Sequence, residues 1–427
     1  MLGAAGLIFG SVLAMRLLQP PAPAFDPQEA GHRLVTAASE IERLQARLKA
    51  DPDNASAYAQ LGLVMLQRVR ENGDPALYIQ AERAFRAALA RNPDQLDALI
   101  GMGSLALSRH AFTEAIVWGE RAKAINPFRA QVYGIIGDAL VELGRYPEAA
   151  QAIQKMVDTR PDIASYTRVS YLRELHGDVV GAIDAMTRAA KAGAPGGEAT
   201  LWAWTYLGHL HFNRGDLRDA EAAYTGVLQQ QPSYPYAMGG LARIRAAQGR
   251  TDEAITLYQT VLDRLPLAQW AIELGELFEA TGERDRARAQ FELVRAIQRL
   301  NAHAAMNVDL EMALFEADHG DPATAVALAR AAYERRPSIY GADALAWALH
   351  RAGQSEEAWP LAQKALRLGT RDALLHFHAG MIAAALDGRT SEAADLLRAA
   401  LDINPHFSVR YAPMARRELA RLDALTP

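Results

Sequence analysis

Two histidine pairs, His209-x-His211 and His376-x-His378, carry the side chains that most often hold transition metals, and an acidic residue lies near each. Whether they can chelate depends on the element that carries them. The segment Leu201–Arg214 reads as one helix, and residues two apart on a helix point about 200° away from each other. A helical zinc pair needs a spacing of three or four, as in H-E-x-x-H. Neither pair is therefore expected to bind metal. His211 is expected in a core slot, and His209 facing an inner surface.

Other chemistry is equally thin. Gly101-x-Gly103 in "GMGSLA" falls inside a helix rather than after a strand, so it lacks the setting of a dinucleotide loop. The chain holds no G-x-x-x-x-G-K and no G-x-S-x-G. Acidic turns such as "NRGDLRDAE" lack the ligand spacing of a calcium loop, and helix caps explain them. There is no cysteine, which removes disulfides, thiolate metal sites and cysteine nucleophiles. A net charge of −5 and a pI near 6.1 provide no basic stripe for nucleic acid. The sequence predicts no enzyme and no cofactor.

What must position these residues is a repeat. Ala81, Ala115, Ala149, Ala182, Ala220, Ala254, Ala287, Ala325, Ala358 and Ala393 follow one another at intervals of 33 to 38 residues. Seven residues after each stands another apolar side chain, from Ala88 and Ala122 to Ala365 and Ala400. Two turns along, it shares the same helix face. A proline often follows five residues later, as at Pro93, Pro127, Pro161, Pro232, Pro266, Pro337 and Pro405, and ends the helix. Turns such as "LGRYPEA" and "QGRTDEA" precede the alanine, and their glycine suits the left-handed end of a first helix. Each unit is a helical hairpin whose alanine lets the two helices approach closely.

The pattern resembles the tetratricopeptide repeat, a helix–turn–helix unit of about 34 residues. The fifth copy carries it in Trp204, Leu207, Gly208, His211, Ala220, Tyr224, Val227 and Pro232. Gly119 in the second copy and Ser170 in the fourth depart from it. The resemblance covers Ala55 to Pro405 and implies an all-α, right-handed solenoid of about ten repeats. It also implies a concave groove, lined by the first helices, that holds a peptide or protein partner. In that register the groove-facing residues are Trp202, Thr205, Tyr206, His209, Phe212, Asn213, Tyr236 and Arg243, with a second cluster of Tyr340, Asp343, Trp347, His350 and Arg351. Aromatic and arginine side chains of this kind make binding hot spots when exposed.

The remaining segments complete the organisation. Residues 1–24 read as a signal peptide or membrane anchor, because Met1–Met15 contains no charged side chain and Ala22-Pro23-Ala24 offers small residues before Phe25. Residues 2–18 are the part that would attach to a membrane. Residues 25–54 read as an N-terminal helix and linker. The array divides into blocks 55–195, 201–300 and 306–405, set apart by four extra residues at "KAGAPGGEAT" and four at "VRAIQRLNAHAAMN". The latter lacks a breaker and predicts a lengthened second helix. Residues 406–427 read as a capping helix. The expected function is a non-catalytic interaction scaffold, exported to the periplasm or anchored at the bacterial cell envelope. The alternatives are a carbohydrate or small-molecule module using the groove aromatics, and a cytoplasmic scaffold whose start is misplaced.

Overall fold

The computed structural model describes residues 37–424; the N-terminal segment read above as signal or anchor lies outside them. The described residues form α-helices and no strand. A single helix, α1 (Ala37–Ala50), precedes ten hairpins. The first four are α2 (Ala55–Asn72) with α3 (Ala76–Arg91), α4 (Leu96–Ser108) with α5 (Phe112–Ile125), α6 (Ala130–Glu142) with α7 (Tyr146–Thr159), and α8 (Ile163–Leu175) with α9 (Val179–Ala192). The next three are α10 (Glu198–Asn213) with α11 (Leu217–Gln230), α12 (Pro235–Ala247) with α13 (Thr251–Arg264), and α14 (Ala268–Ala280) with α15 (Arg284–His303). The last are α16 (Asp309–His319) with α17 (Pro322–Arg335), α18 (Ile339–Arg351) with α19 (Ser355–Ala365), and α20 (Ala373–Ala384) with α21 (Thr390–Ile403). Helix α22 (Tyr411–Asp423) closes the series.

The periodic alanines explain why each hairpin forms. All ten are between 0% and 2% exposed, at the line where second helix meets first. Opposite them the first helices carry glycines. A Cβ at Gly208 would lie 2.5 Å from the Tyr224 ring, and one at Gly275 would lie 2.4 Å from Phe291. Small residues on one helix thus seat aromatic residues of the other. The four extra residues before the eighth hairpin lengthen α15 to 20 residues, against 14 in α13.

The solenoid winds so tightly that one superhelical turn rests on the next. The loop inside hairpin n meets the junction that follows hairpin n+5, and this happens five times. Gly73 stands against Leu265. Arg109 Nε donates to Ala304 O at 3.1 Å, and the amide of Asn307 donates to Arg109 O at 3.0 Å. Arg336 Nε donates to Glu142 at 2.7 Å, while the Ile339 amide donates to Tyr146 Oη at 2.9 Å. The Thr370 hydroxyl bonds to Leu175 O, and Asn404 Nδ2 donates to Phe212 O at 2.7 Å. A Cβ at Gly144 would come within 2.4 Å of Pro337 O, so side-chain-free backbone is what permits this approach. The accessible surface of 18080 Å² is consistent with that closure. A compact monomer of 46.5 kDa would expose roughly 16,000 Å² by the usual mass scaling.

Candidate functional site

The groove expected from the sequence is largely filled by the protein itself. Trp202, Thr205, Tyr206, His209, Phe212, Arg243, Tyr340, Asp343 and Trp347 are all buried, with Trp202 at 2% and Trp347 at 1% exposure. They do not line an open surface. Asn213, Tyr236 and His350 are partly accessible, and Arg351 is exposed. Even among these, Asn213 Nδ2 donates to Glu174 at 3.2 Å and Arg351 Nε donates to Ala317 O at 3.0 Å. The reason is geometric. First helices that would face a wide groove are brought into contact by the tight winding, so their side chains pair with one another.

The pairing follows a rule: polar groups on successive first helices meet about one repeat apart. Arg168 on α8 forks onto Asp138 of α6 through Nε at 2.8 Å and Nη2 at 2.7 Å, and its Nη1 donates to Ala164 O. Burial pushes the Asp138 carboxyl up to about 6 against the attraction of that guanidinium. Arg243 of α12 pairs with Glu273 of α14, which also accepts the Tyr258 hydroxyl at 2.6 Å. His378 of α20 presents Nδ1 to both carboxylate oxygens of Asp343 on α18, at 3.0 Å each. Trp347 stacks on His378 with centroids 4.1 Å apart, and its Nε1 donates to Asp318 Oδ1 of α16 at 3.0 Å. Glu174 of α8 accepts the Tyr206 hydroxyl of α10 at 2.7 Å, and burial raises its carboxyl to about 7.

Of the histidines that opened the question, His209 is buried and His211 half-buried, in the last turn of α10. His209 is the buried member of its pair: Nδ1 sits 2.7 Å from the Tyr224 hydroxyl of α11. Burial, with a smaller push from Arg243, lowers its pKa to about 3, so it stays neutral. His211 is the more accessible one, at the loop of the fifth hairpin. His211, Asp216 and Asp219 bring their ligand atoms within 4.8 Å of one another, a grouping that the His-x-His spacing did not indicate. The Arg214 guanidinium already pairs with Asp216 there and supplies a positive charge. His376 Nδ1 faces the carbonyl of Asp372, four residues back on its own helix, at 2.9 Å.

Large apolar side chains are exposed elsewhere: Val180 on α9, Leu300 on α15, and a group on α5 and the loop beyond it. Val117, Ala124 and Ile125 stand seven and eight residues apart on one face, with Phe128 next in line at 85% exposure. Glu120, Arg121 and Lys123 flank them. No helix among the described residues is long and apolar enough to cross a membrane.

Comparison with known proteins agrees with this architecture. Cellulose synthase 1 operon protein C of Komagataeibacter xylinus is 27% identical over 231 residues, covering 54% of this chain and 15% of that protein. Cellulose synthase operon protein C of Xanthomonas axonopodis pv. citri is 27% identical over 306 residues, covering 66% of this chain and 18% of that protein. The chain thus spans less than a fifth of the length of these relatives. Among solved structures, the human IFIT1 dimer with PPP-AAAA is 15% identical, covers 80% of each chain and superposes with a TM-score of 0.48. The tetratricopeptide repeat model matches residues 71–130, 136–198, 207–268, 247–302 and 344–406. With ten hairpins built on one alanine register and that match over most of its length, the chain belongs to the tetratricopeptide repeat family.

Proposed function

We propose that the chain is a non-catalytic protein-interaction scaffold of the bacterial cell envelope, and that its partner docks on the outer face of α5. The observation that carries this reading is the grouping of Val117, Ile125 and Phe128 on that face, whereas the other large exposed apolar residues, Val180 and Leu300, lie on two other helices. Asp138 with Arg168, Arg243 with Glu273, and Asp343 with His378 are occupied with one another across first helices, which is structural work. Val117, Ile125 and Phe128 are large apolar side chains held in water, with charges around them, as at the centre of a protein interface. A sugar needs an open ring face to stack on, and Trp202 and Trp347 offer none. The envelope setting is supported by the uncharged run Met1–Met15 and by relatives named for the cellulose synthase operon.

The test is affinity capture from envelope extracts with the full chain and with Val117→Asp/Ile125→Asp. Both positions are exposed, so the variant should unfold at the wild-type temperature. Capture of a specific partner by the wild type and its loss in the variant is the expected result. A partner retained by the variant contradicts docking on α5, and no partner for either chain contradicts the scaffold reading.

A further inference from the structure

A cavity lies on the seam that closes the superhelix. It is lined by Glu174 at the end of α8, Asn213 and Arg214 at the end of α10, Arg371 before α20 and Asp402 at the end of α21, and it holds an open space of about 80 Å³. Val179, Leu210 and Ile403 form its apolar wall. The lining residues are neighbours in sequence of two seam bonds. Glu174 and Arg371 adjoin the bond from the Thr370 hydroxyl to Leu175 O, and Asn213 and Ile403 adjoin the bond from Asn404 Nδ2 to Phe212 O. One superhelical turn supplies Glu174 and Asn213, and the next supplies Arg371 and Asp402. The site is complete only while the two turns rest on each other.

The charges of this lining are not spent on one another. Glu174 accepts the Tyr206 hydroxyl at 2.7 Å and Asn213 Nδ2 at 3.2 Å, both neutral donors. Arg371 and Asp402 are exposed, and among the described residues neither they nor Glu174 form an ion pair. Arg214, by contrast, is taken up by Asp216. The cavity therefore offers one guanidinium and two carboxyls without counter-charges beside an apolar wall. An anion alone would leave Glu174 and Asp402 unanswered, and a cation alone would leave Arg371 unanswered. A molecule carrying both charges answers all three. Space sets its size: a water molecule needs about 10–15 Å³ of such room, so about 80 Å³ takes roughly five to eight non-hydrogen atoms.

We infer that this cavity binds a small free amino acid, with its carboxylate on Arg371 and its ammonium between Glu174 and Asp402. Glycine, alanine and serine are of the right size, and phenylalanine is too large. The short side chain faces Val179, Leu210 and Ile403, and both ends make charge-assisted hydrogen bonds. A peptide terminus carries only one of the two charges, so it leaves half of the site unanswered. The titration of Glu174 fits the same arrangement. Burial pushes its carboxyl up to about 7, and an ammonium beside it favours the ionised form, so binding releases protons near neutrality. Because the ligand holds residues of both superhelical turns, it stabilises the closed form of the solenoid. The site shares no residue with α5, and the inference does not rest on partner docking there.

Titration calorimetry of the full chain with alanine, alaninamide, propionate and phenylalanine provides the test. Alanine is expected to bind saturably, one molecule per chain, and at least about tenfold more tightly than alaninamide or propionate, each of which keeps one charge. Phenylalanine should not bind. Arg371→Gln should abolish the preference for alanine over alaninamide, and Asp402→Asn should reduce the preference for alanine over propionate. Both residues are exposed, and unchanged thermal unfolding shows that each variant is folded. Alanine affinity should rise as the pH rises through 7, with proton release that Glu174→Gln removes. The inference is overturned if alanine does not bind, if propionate, alaninamide or phenylalanine binds equally well, or if both charge variants bind alanine as the wild type does. An affinity that falls as the pH rises through 7 overturns it as well.

Discussion

Trp347→Ala lowers the unfolding free energy by about 3–5 kcal/mol, measured by urea denaturation monitored at a helical band. The indole is 1% exposed and is held on every side. It stacks on His378, meets Tyr411 edge-on at 5.9 Å and Phe377 at 5.8 Å, and bonds Asp318 through Nε1. Alanine would leave a cavity among rings that cannot collapse into it, and Asp318 Oδ1 would lose its donor. Trp347→Phe keeps most of the packing and should cost clearly less. A ligand-facing tryptophan would behave differently. Its removal would cost affinity and leave stability within about 0.5 kcal/mol of wild type, as exposed substitutions generally do. A small effect of Trp347→Ala would therefore restore the open groove that the sequence suggested.

Arg168→Met destabilises by a comparable amount, about 3–5 kcal/mol, because it strands the Asp138 carboxylate between α6 and α8. Removing both partners is another matter. Asp138→Leu/Arg168→Met replaces a desolvated pair by apolar side chains of similar volume and should lie near wild type or above it. The pH dependence identifies the cause. Burial already raises the Asp138 carboxyl, and without the guanidinium nothing opposes that rise. In the single variant the folded state then binds a proton more tightly than the unfolded state does. Its stability deficit should shrink as pH falls from 7 toward 5, and the double variant should show no such recovery. A deficit independent of pH would point to lost packing of the arginine stem instead.

The two variants also mark the limit of what the sequence discloses. Hairpins are local, and their signature is local: an alanine, an apolar residue seven places on, a proline five later. That pattern could be read because both ends of each contact lie within one repeat. The state of the groove could not, because it depends on superhelical pitch, the accumulated sum of small rotations between repeats. Glu142 meets Arg336 and Phe212 meets Asn404 only after five such rotations. No spacing inside a repeat encodes those encounters. One signal was available. Asp138 with Arg168, Arg243 with Glu273, and Asp343 with His378 are complementary polar pairs placed a repeat apart on first helices, which is what a packed inner face requires. The histidines show the same limit on a smaller scale. Spacing alone separates His209 from His211, and it was the Tyr224 hydroxyl of the second helix that decided which of them is buried.

Closure of one superhelical turn on the next is the claim on which the filled groove depends. The chain has no cysteine, so a pair can be introduced without competing thiols. Arg145 and Arg367 are exposed residues from opposite sides of the seam, and the Arg367 guanidinium lies 5.4 Å over the ring of Tyr146, next to Arg145. Nitroxide labels on Arg145→Cys/Arg367→Cys, measured by dipolar spectroscopy in dilute solution, are predicted to give one short, narrow distance population. A long and broad distribution, with no short component, would show that the turns stand apart and that the groove is open.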